Sequence, residues 1–495
     1  MTTIGSYGYS ALASARADGT FRSLKSQLSD LQTQLASGQR ATTYAGLGAD
    51  AIKSLSGRST LASIEAYASN VTDAQFRLKL MSTGIQQIAK IGNSLKVSLS
   101  DNYETTPIGQ TTAIASATDG LKQVIDILNT TADDRSLFAG RASDVEPVEG
   151  YDLIVNGDAN RAGLKQIIAE RKAADLGTTG LGRMTVTPAA NGVTVGEEAV
   201  PFGMKVAGAS ATGSGLVAST TTGSPASATL SVAAQPAAND TISLSLKLPD
   251  GSTTTLTFTA GADRATNPDG FAIGADATAT AANLQAAVQS AITRVAGEKL
   301  PGASALGASQ VFFAGSPSNP PQRVAGPPYD TATATVAGTA ANTVIWYRGD
   351  DAAGSARETT PVRTGDATSV AIGARANEKG FRTVLAALGA LVGQDFPAGS
   401  AEAKTRYAAT TDAIADSIGD DMKNIVSEFG VASAGLDAAK SRLGIAKSQV
   451  EDAVAGVENA DTSDVAMKLL ATQTRLQASY QTTATIAKLS LVNFL

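Results

Sequence analysis

Neither histidine nor cysteine occurs anywhere in the 495-residue chain. Their absence excludes Ser-His-Asp and Cys-His catalysis, which need an imidazole to take the proton from the attacking group. It excludes zinc sites built on imidazole or thiolate. It also excludes a disulfide framework, so a life outside the cell would rest on packing alone. A chain without thiols suits export in an unfolded state, because it cannot be caught in mixed disulfides. Aromatic residues are scarce as well, at 5% against 43% hydrophobic residues overall, so Ala, Val, Leu and Ile carry the apolar content. Alanine loses no side-chain entropy in a helix, and this composition favours long helices in close contact. No stretch approaches the roughly 20 continuous apolar residues of a membrane span. Residues 1–30 lack a basic segment followed by an apolar one, so export without a cleavable signal is expected. Lys+Arg number 39 against 45 Asp+Glu, with no basic run dense enough to neutralise a phosphate backbone, so nucleic acid is not an expected partner.

Carboxylate chemistry and oxygen-ligated metals survive these exclusions without positive support. Asp350 and Asp351 lack the spacing of an EF-hand loop. The glycine clusters at 179–182 and 212–215 are not followed by Lys-Ser/Thr, as a phosphate loop requires. Asp133, Asp134 and Arg135 read as a solvated turn. No convincing carboxylate pair for hydrolysis is visible. The chain is therefore expected not to be an enzyme, and no catalytic, cofactor-binding or metal residue is assigned.

What is present is helical periodicity at both ends. The parts at roughly 1–140 and 375–495 flank a middle rich in Ser, Thr, Gly and Ala. Phe21, Leu24, Leu28, Leu31 and Leu35 follow spacings of three and four, one stripe on one helix face. Gly38 is a suitable residue to stop that helix, and 41–50 reads as an irregular connection. From about 58 to 102, Ile64, Tyr67, Val71, Ala74, Leu78, Met81, Ile85, Ile88, Gly92, Leu95 and Leu99 keep an unbroken 3-4 alternation. That is a heptad seam on a helix of about 65 Å. A further helix is expected at 108–130. On the C-terminal side a second seam runs through Met422, Ile425, Phe429, Ala432, Leu436, Ala439, Leu443, Ala446, Val450, Ala453 and Val457. AsnAlaAspThrSerAsp (459–464) interrupts it and supplies N-caps for a last helix carrying Val465, Leu469, Leu476, Tyr480 and Ala487. A shorter helix is expected near 376–392.

The middle alternates with period two at 228–233, 241–248 and 253–259, with ProAspGlySer (249–252) as a turn. Residues 280–292 read as a short helix and 342–347 as another strand, with Trp346 and Tyr347 in its core.

A long apolar stripe needs a partner. The simplest arrangement pairs N-terminal with C-terminal helices and lets the middle project from them. The expected fold is mainly α with inserted β domains: an elongated bundle of long, coiled-coil-like terminal helices with a β-rich central excursion. Its parts are a terminal assembly region (1–42 and 458–495), a helical rod (43–189 and 361–457) and a β-rich central region (190–360). The expected rod core is Ile64, Leu78, Ile85, Ile88, Leu95, Ile425, Leu436, Leu443 and Val450. The outermost helices lack local neighbours, so Phe21, Leu24, Leu28, Leu31, Leu35, Val465, Leu469, Leu476 and Tyr480 are expected to make intersubunit contacts and to order on assembly.

LeuSerAspLeuGlnThrGlnLeuAlaSerGlyGlnArg (28–40) resembles the N-terminal signature of the bacterial flagellin family, an amphipathic helix closing in Leu-x-Ser/Thr-Gly-x-Arg/Lys. SerArgLeuGlyIleAlaLysSerGlnValGlu (441–451) and ValGluAsnAlaAspThrSerAsp (457–464) are similar to the family's matching helix and its acidic turn. Two segments resemble the branch of hook-associated protein 3, the hook–filament junction proteins. They are IleLeuAsnThrThrAlaAspAspArgSerLeuPheAlaGly (127–140) and GlnThrArgLeuGlnAlaSerTyrGlnThrThr (473–483) with its LeuSerLeuValAsnPheLeu ending. Residues 42–49 lack the family's Asp-rich stretch, and the middle is long for a junction protein, which leaves filament flagellin as the alternative. A surface adhesin or glycan-binding module in the middle is the alternative of another class. The resemblance implies a secreted structural subunit that polymerises with itself, meets the hook-side hook-associated protein and flagellin, and leaves the cell by type III export. It also implies an export chaperone on the C-terminal helices, with Leu469, Leu476 and Tyr480 as anchors.

Overall fold

The computed structural model describes residues 6–100, 107–394, 396 and 401–492. Its helices are α1 (Ser6–Ser37), α2 (Ala51–Ser100), α3 (Pro107–Leu128), α4 (Tyr151–Asn156), α5 (Leu164–Leu176), α6 (Ala277–Glu298), α7 (Leu300–Ala314), α8 (Lys379–Val392), α9 (Ala401–Ser417), α10 (Asp421–Glu458) and α11 (Thr462–Val492). Helix accounts for 54% of the chain, with long helices at both ends and β-structure between them, so the fold is mainly α with an inserted β-rich region. The residues fall into two compact units. The smaller comprises 1–72, 363–368 and 436–495; the larger comprises 73–362 and 369–435.

α2 starts seven residues earlier than the periodicity suggests, because Tyr44–Asp50 winds into a 3-10 turn that feeds it directly. At 50 residues it is about 75 Å long. Its seam is buried at every position from Ile64 to Leu99 except Tyr67, which is half-buried and donates its hydroxyl to Asp366 at 2.7 Å. The seam of α10 is buried from Met422 to Leu443 and then shifts. Ala446 and Val450 are half-buried, Ala453 is exposed, and Val454 takes the buried place. A straight helix turns once per 3.6 residues, so a strict 3.5-residue pattern drifts off the contact face. The drift is visible beside Gly57 of α2, where a Cβ would stand 2.4 Å from Cγ2 of Val454. Only glycine lets the two helices approach so closely there.

Within the larger unit, the first ten strands in chain order are β1 (Thr131–Ala132), β2 (Arg135–Ser136), β3 (Met184–Ala189), β4 (Gly192–Glu197), β5 (Lys205–Thr212), β6 (Leu216–Thr221), β7 (Ser227–Val232), β8 (Thr241–Lys247), β9 (Thr253–Ala260) and β10 (Gly270–Phe271). They build a sheet of order β3-β4-β7-β6 and another of order β10-β9-β8-β5. Both are antiparallel except for β10, which runs parallel to β9. Alternation sends Ile242, Leu244, Leu246, Leu256 and Phe258 into one core with Val193, Val195, Leu230 and the Leu284–Val288–Ile292–Val295 face of α6. The opposite face of the second sheet carries hydroxyls paired across strands: Thr212 with Thr241 at 2.7 Å, Ser243 with Thr257 at 3.1 Å and Ser245 with Thr255 at 2.9 Å.

The expected strand at 342–347 does not form. Asn342 closes a turn on Thr339, and the backbone bonds of Val344 and Trp346 go to Ala162 and Glu149 separately rather than to one continuous neighbour. Trp346 and Tyr347 are nonetheless fully buried, with the ring of Phe313 5.3 Å from that of Trp346. The middle is also more helical than its composition suggests. α7 packs against α5, α8 and α9, and eleven of its fifteen residues are buried.

Candidate assembly surface at the terminal helices

α1 and α11 lie against each other within the smaller unit. Phe21 meets Tyr480 edge-on, with ring centroids 4.9 Å apart, and Gly38 bonds to Ala460, so the two helices run antiparallel. The single chain already holds 6–37 and 462–492 as helices, where the sequence suggests order only on assembly. A two-helix contact covers each stripe in part. Phe21, Leu24, Leu28 and Leu31 are half-buried and Leu35 is exposed. On α11, Val465 is buried, Leu469 and Leu476 are half-buried, and Tyr480 is 55% exposed despite its contact with Phe21. The side chain of Ala487 and the closing segment 493–495 lie outside the described residues.

The contact face of α11 runs through Val465, Leu469, Thr472 and Leu476. Thr472 is buried, its hydroxyl donating to the Lys468 carbonyl at 2.7 Å. A polar residue inside the stripe hid this from the apolar count. Met467 and Leu470, each 63% exposed, stand on another face of α11. They are large apolar residues outside the 3-4 stripe, and that misfit is the sequence signal that marks them. Of the fourteen large hydrophobics that are exposed among the described residues, eight belong to the smaller unit.

Both chain segments break at one level. α1 stops at Gly38, whose φ of +69° is open to glycine at little cost. α10 stops at Glu458, and Asp461 caps α11 by accepting from Ser463 N at 2.9 Å and Asp464 N at 3.2 Å. Between the breaks Arg40 N donates to Glu458 O at 2.7 Å, Ala460 N donates to Gly38 O at 2.9 Å, and Gln39 bridges Asn459. The Glu458 carboxylate turns to α2, accepting from Arg58 Nε at 2.7 Å, Arg58 Nη2 at 2.6 Å and Ser54 Oγ at 2.5 Å. Those bonds favour the ionised form and hold the Glu458 carboxyl down at about 2. Further along the same pair of helices, Lys447 donates to Glu65 at 2.9 Å, and that bond raises the Lys447 ammonium above its ordinary value.

The rod residues Ile64, Leu78, Ile85, Ile88, Leu95, Ile425, Leu436 and Leu443 are buried, and Val450 is half-buried. Of the acidic groups weighed for chemistry, two sit in a solvated turn and two have structural partners. Asp133 and Asp134 are exposed at positive φ in the β1–β2 turn. Asp351 accepts from the Ser318 amide at 2.7 Å, and Asp350 lies between Arg141 and Arg375. Among the described residues no group of three or more His, Cys, Asp or Glu is placed to hold a metal.

A family model of the bacterial flagellin N-terminal helical region matches residues 10–143. The model of the bacterial flagellin C-terminal helical region matches residues 412–495. Both ends are those of the bacterial flagellin family. Flagellins are structural proteins of the extracellular flagellum that polymerise into axial assemblies, and the two matched ends support a structural flagellar subunit. No curated protein and no solved structure matches the chain. The flagellin-type regions leave residues 144–411 between them, including both four-stranded sheets. No described helix is long and apolar enough to cross a membrane. Within the N-terminal flagellin region, two residues of 127–140 have packing roles. Asn129 exchanges two hydrogen bonds with the backbone of Val148, at 2.8 and 2.9 Å, and Phe138 stands edge-on to Phe381 at 5.8 Å.

Proposed function

We propose that this flagellin-family chain joins hook to filament, polymerising through its terminal helices. The observation that carries the polymer contacts is the incomplete burial of α1 and α11: their stripes face each other yet stay half-covered, and further apolar residues stand in water beside them. A second copy supplying the missing cover would remove that surface from solvent, the dominant favourable term in association. In this reading 1–42 and 458–495 form the assembly region, 43–189 and 361–457 form the rod, and 190–360 is a central excursion. The junction role rests on the two segments similar to hook–filament junction proteins, 127–140 and 473–483. Hook-side hook-associated protein and flagellin are then its axial neighbours. An export chaperone that takes Leu469 and Leu476 would have to displace α1 from them, so it binds before the pair closes.

Filament flagellin is the second reading, favoured by the long middle. Electron microscopy of the purified protein separates the two: long self-assembled filaments indicate flagellin, and short or no assemblies indicate the junction protein. Deletion of residues 1–38 tests the shared claim. The truncated chain is expected to stay folded and to lose all assembly. Filaments or rings formed without α1 would refute the polymer contacts.

A further inference from the structure

We infer that Glu458 is the positioning residue that sets the terminal helix pair on the rod, and that without its carboxylate the chain folds but assembles poorly. The inference rests on the proposed polymer role of α1 and α11 and adds the residue that orients them.

Three elements converge on this one side chain and its own backbone. The Glu458 carbonyl accepts from Arg40 N, which follows the end of α1, and the Arg40 guanidinium reaches the Val457 carbonyl at 3.3 Å. The Glu458 carboxylate takes three donors from α2, two from the Arg58 fork and one from Ser54. Ser54 is fully buried, so its hydroxyl has little access to water as an alternative partner. α10 itself ends on Glu458, and α11 of the pair to be oriented begins four residues later.

The surrounding contacts limit how else the joint is held. Gly57 and Val454 bring α2 and α10 into direct contact one turn away, so the helices there have no room to slide. Nearby, Asp50, the last residue of the 3-10 turn, pairs with Lys53 of α2 at 3.0 Å and lies 3.7 Å from Arg40. Across the breaks, the terminal pair is held by backbone bonds, which fix spacing but not rotation, and the bidentate Arg58–Glu458 pair supplies a planar, directional constraint. An intersubunit contact made by the far ends of thirty-residue helices magnifies any rotation at the joint.

The test uses the full chain and three variants: E458A, R58E, and the exchange E458R with R58E. Assembly is followed by sedimentation and electron microscopy, and amide hydrogen exchange is read at Arg40 and Ala460. E458A is expected to raise the protein concentration needed for assembly about tenfold, the equivalent of losing one charge-assisted hydrogen bond. It is also expected to speed exchange at both amides while leaving thermal unfolding of the larger unit unchanged. The exchange variant restores both readouts, which loss of generic stability would not allow. Wild-type assembly and unaltered exchange in E458A would overturn the inference, as would failure of the double variant to improve on R58E. If a chain lacking 1–38 still polymerises, the proposed polymer contacts fall; the exchange rates at Arg40 and Ala460 then decide alone whether Glu458 holds the joint.

Discussion

In the larger unit Ile242, Leu244, Phe258 and Leu284 have no access to solvent, enclosed by two sheets and a helix. In the smaller unit Phe21, Leu24, Leu28 and Leu31 are each half-buried by a single neighbouring helix. Both regions have enough apolar residues; they differ in how many layers are available to cover them. A sheet with a helix behind it closes a core in three dimensions, whereas a helix with one partner leaves the flanks of its stripe wet. The larger unit therefore closes its sheet core within one chain. The smaller holds its helices together with apolar surface still turned outward, the condition for adding copies.

The first way to break this comparison is by truncation. Phe258→Ala in the larger unit should cost about 3–5 kcal/mol, while Leu28→Ala, at a half-covered site, should cost well under half of that in the monomer. Urea unfolding of both variants measures the difference, and equal losses would show that the terminal pair is as well packed as the sheets. Gly57→Ala comes next. Its new methyl group would meet Val454 at 2.4 Å, so a loss of about 1–3 kcal/mol confined to the smaller unit is expected. The pair G57A with V454A should regain part of it, and hydrogen exchange in the two units locates the damage.

Acid provides a smaller, directional effect. Glu458 has a carboxyl at about 2 in the folded chain against the ordinary 4.5. The folded state thus holds fewer protons than the unfolded one, and the stabilisation from this group is present above pH 4.5 and fades as the pH falls toward 2. Protection at Arg40 and Ala460, taken relative to the intrinsic exchange rate at each pH, should fall as the pH drops through that window, and in E458Q it should be flat. The smallest effect on the monomer belongs to Met467→Ser with Leu470→Ser. Both residues are exposed, so the stability change should stay within about 0.5 kcal/mol for each. Assembly measured by sedimentation should nevertheless fall, and unchanged assembly would remove that face of α11 from the polymer contacts.

The helices at the ends were legible because each meets few neighbours, which leaves a polar face to contrast with the apolar one; the run from Ile64 to Leu99 is the clearest case. α7 was illegible for the opposite reason. It is buried on all sides, so LeuProGlyAlaSerAlaLeuGly has no stripe to detect. β7, β8 and β9 showed their alternation, whereas β5, with Gly208 and several alanines, has no large inward side chain to set the period. Val454 was missed because a heptad count steps to Ala453, and the straight helix does not. At the candidate surface the stripes could be read, but the joint could not. Glu458 and Arg58 lie 400 residues apart in the chain, and no local pattern links them.

The rows of hydroxyls on the outer face of the second sheet have a consequence for the surroundings the subunit tolerates. Thr212 with Thr241, Ser243 with Thr257 and Ser245 with Thr255 bond to each other with no net charge on either partner. Dissolved ions screen charges and leave such pairs untouched. These cross-strand ties should hold equally well in fresh water and in brine.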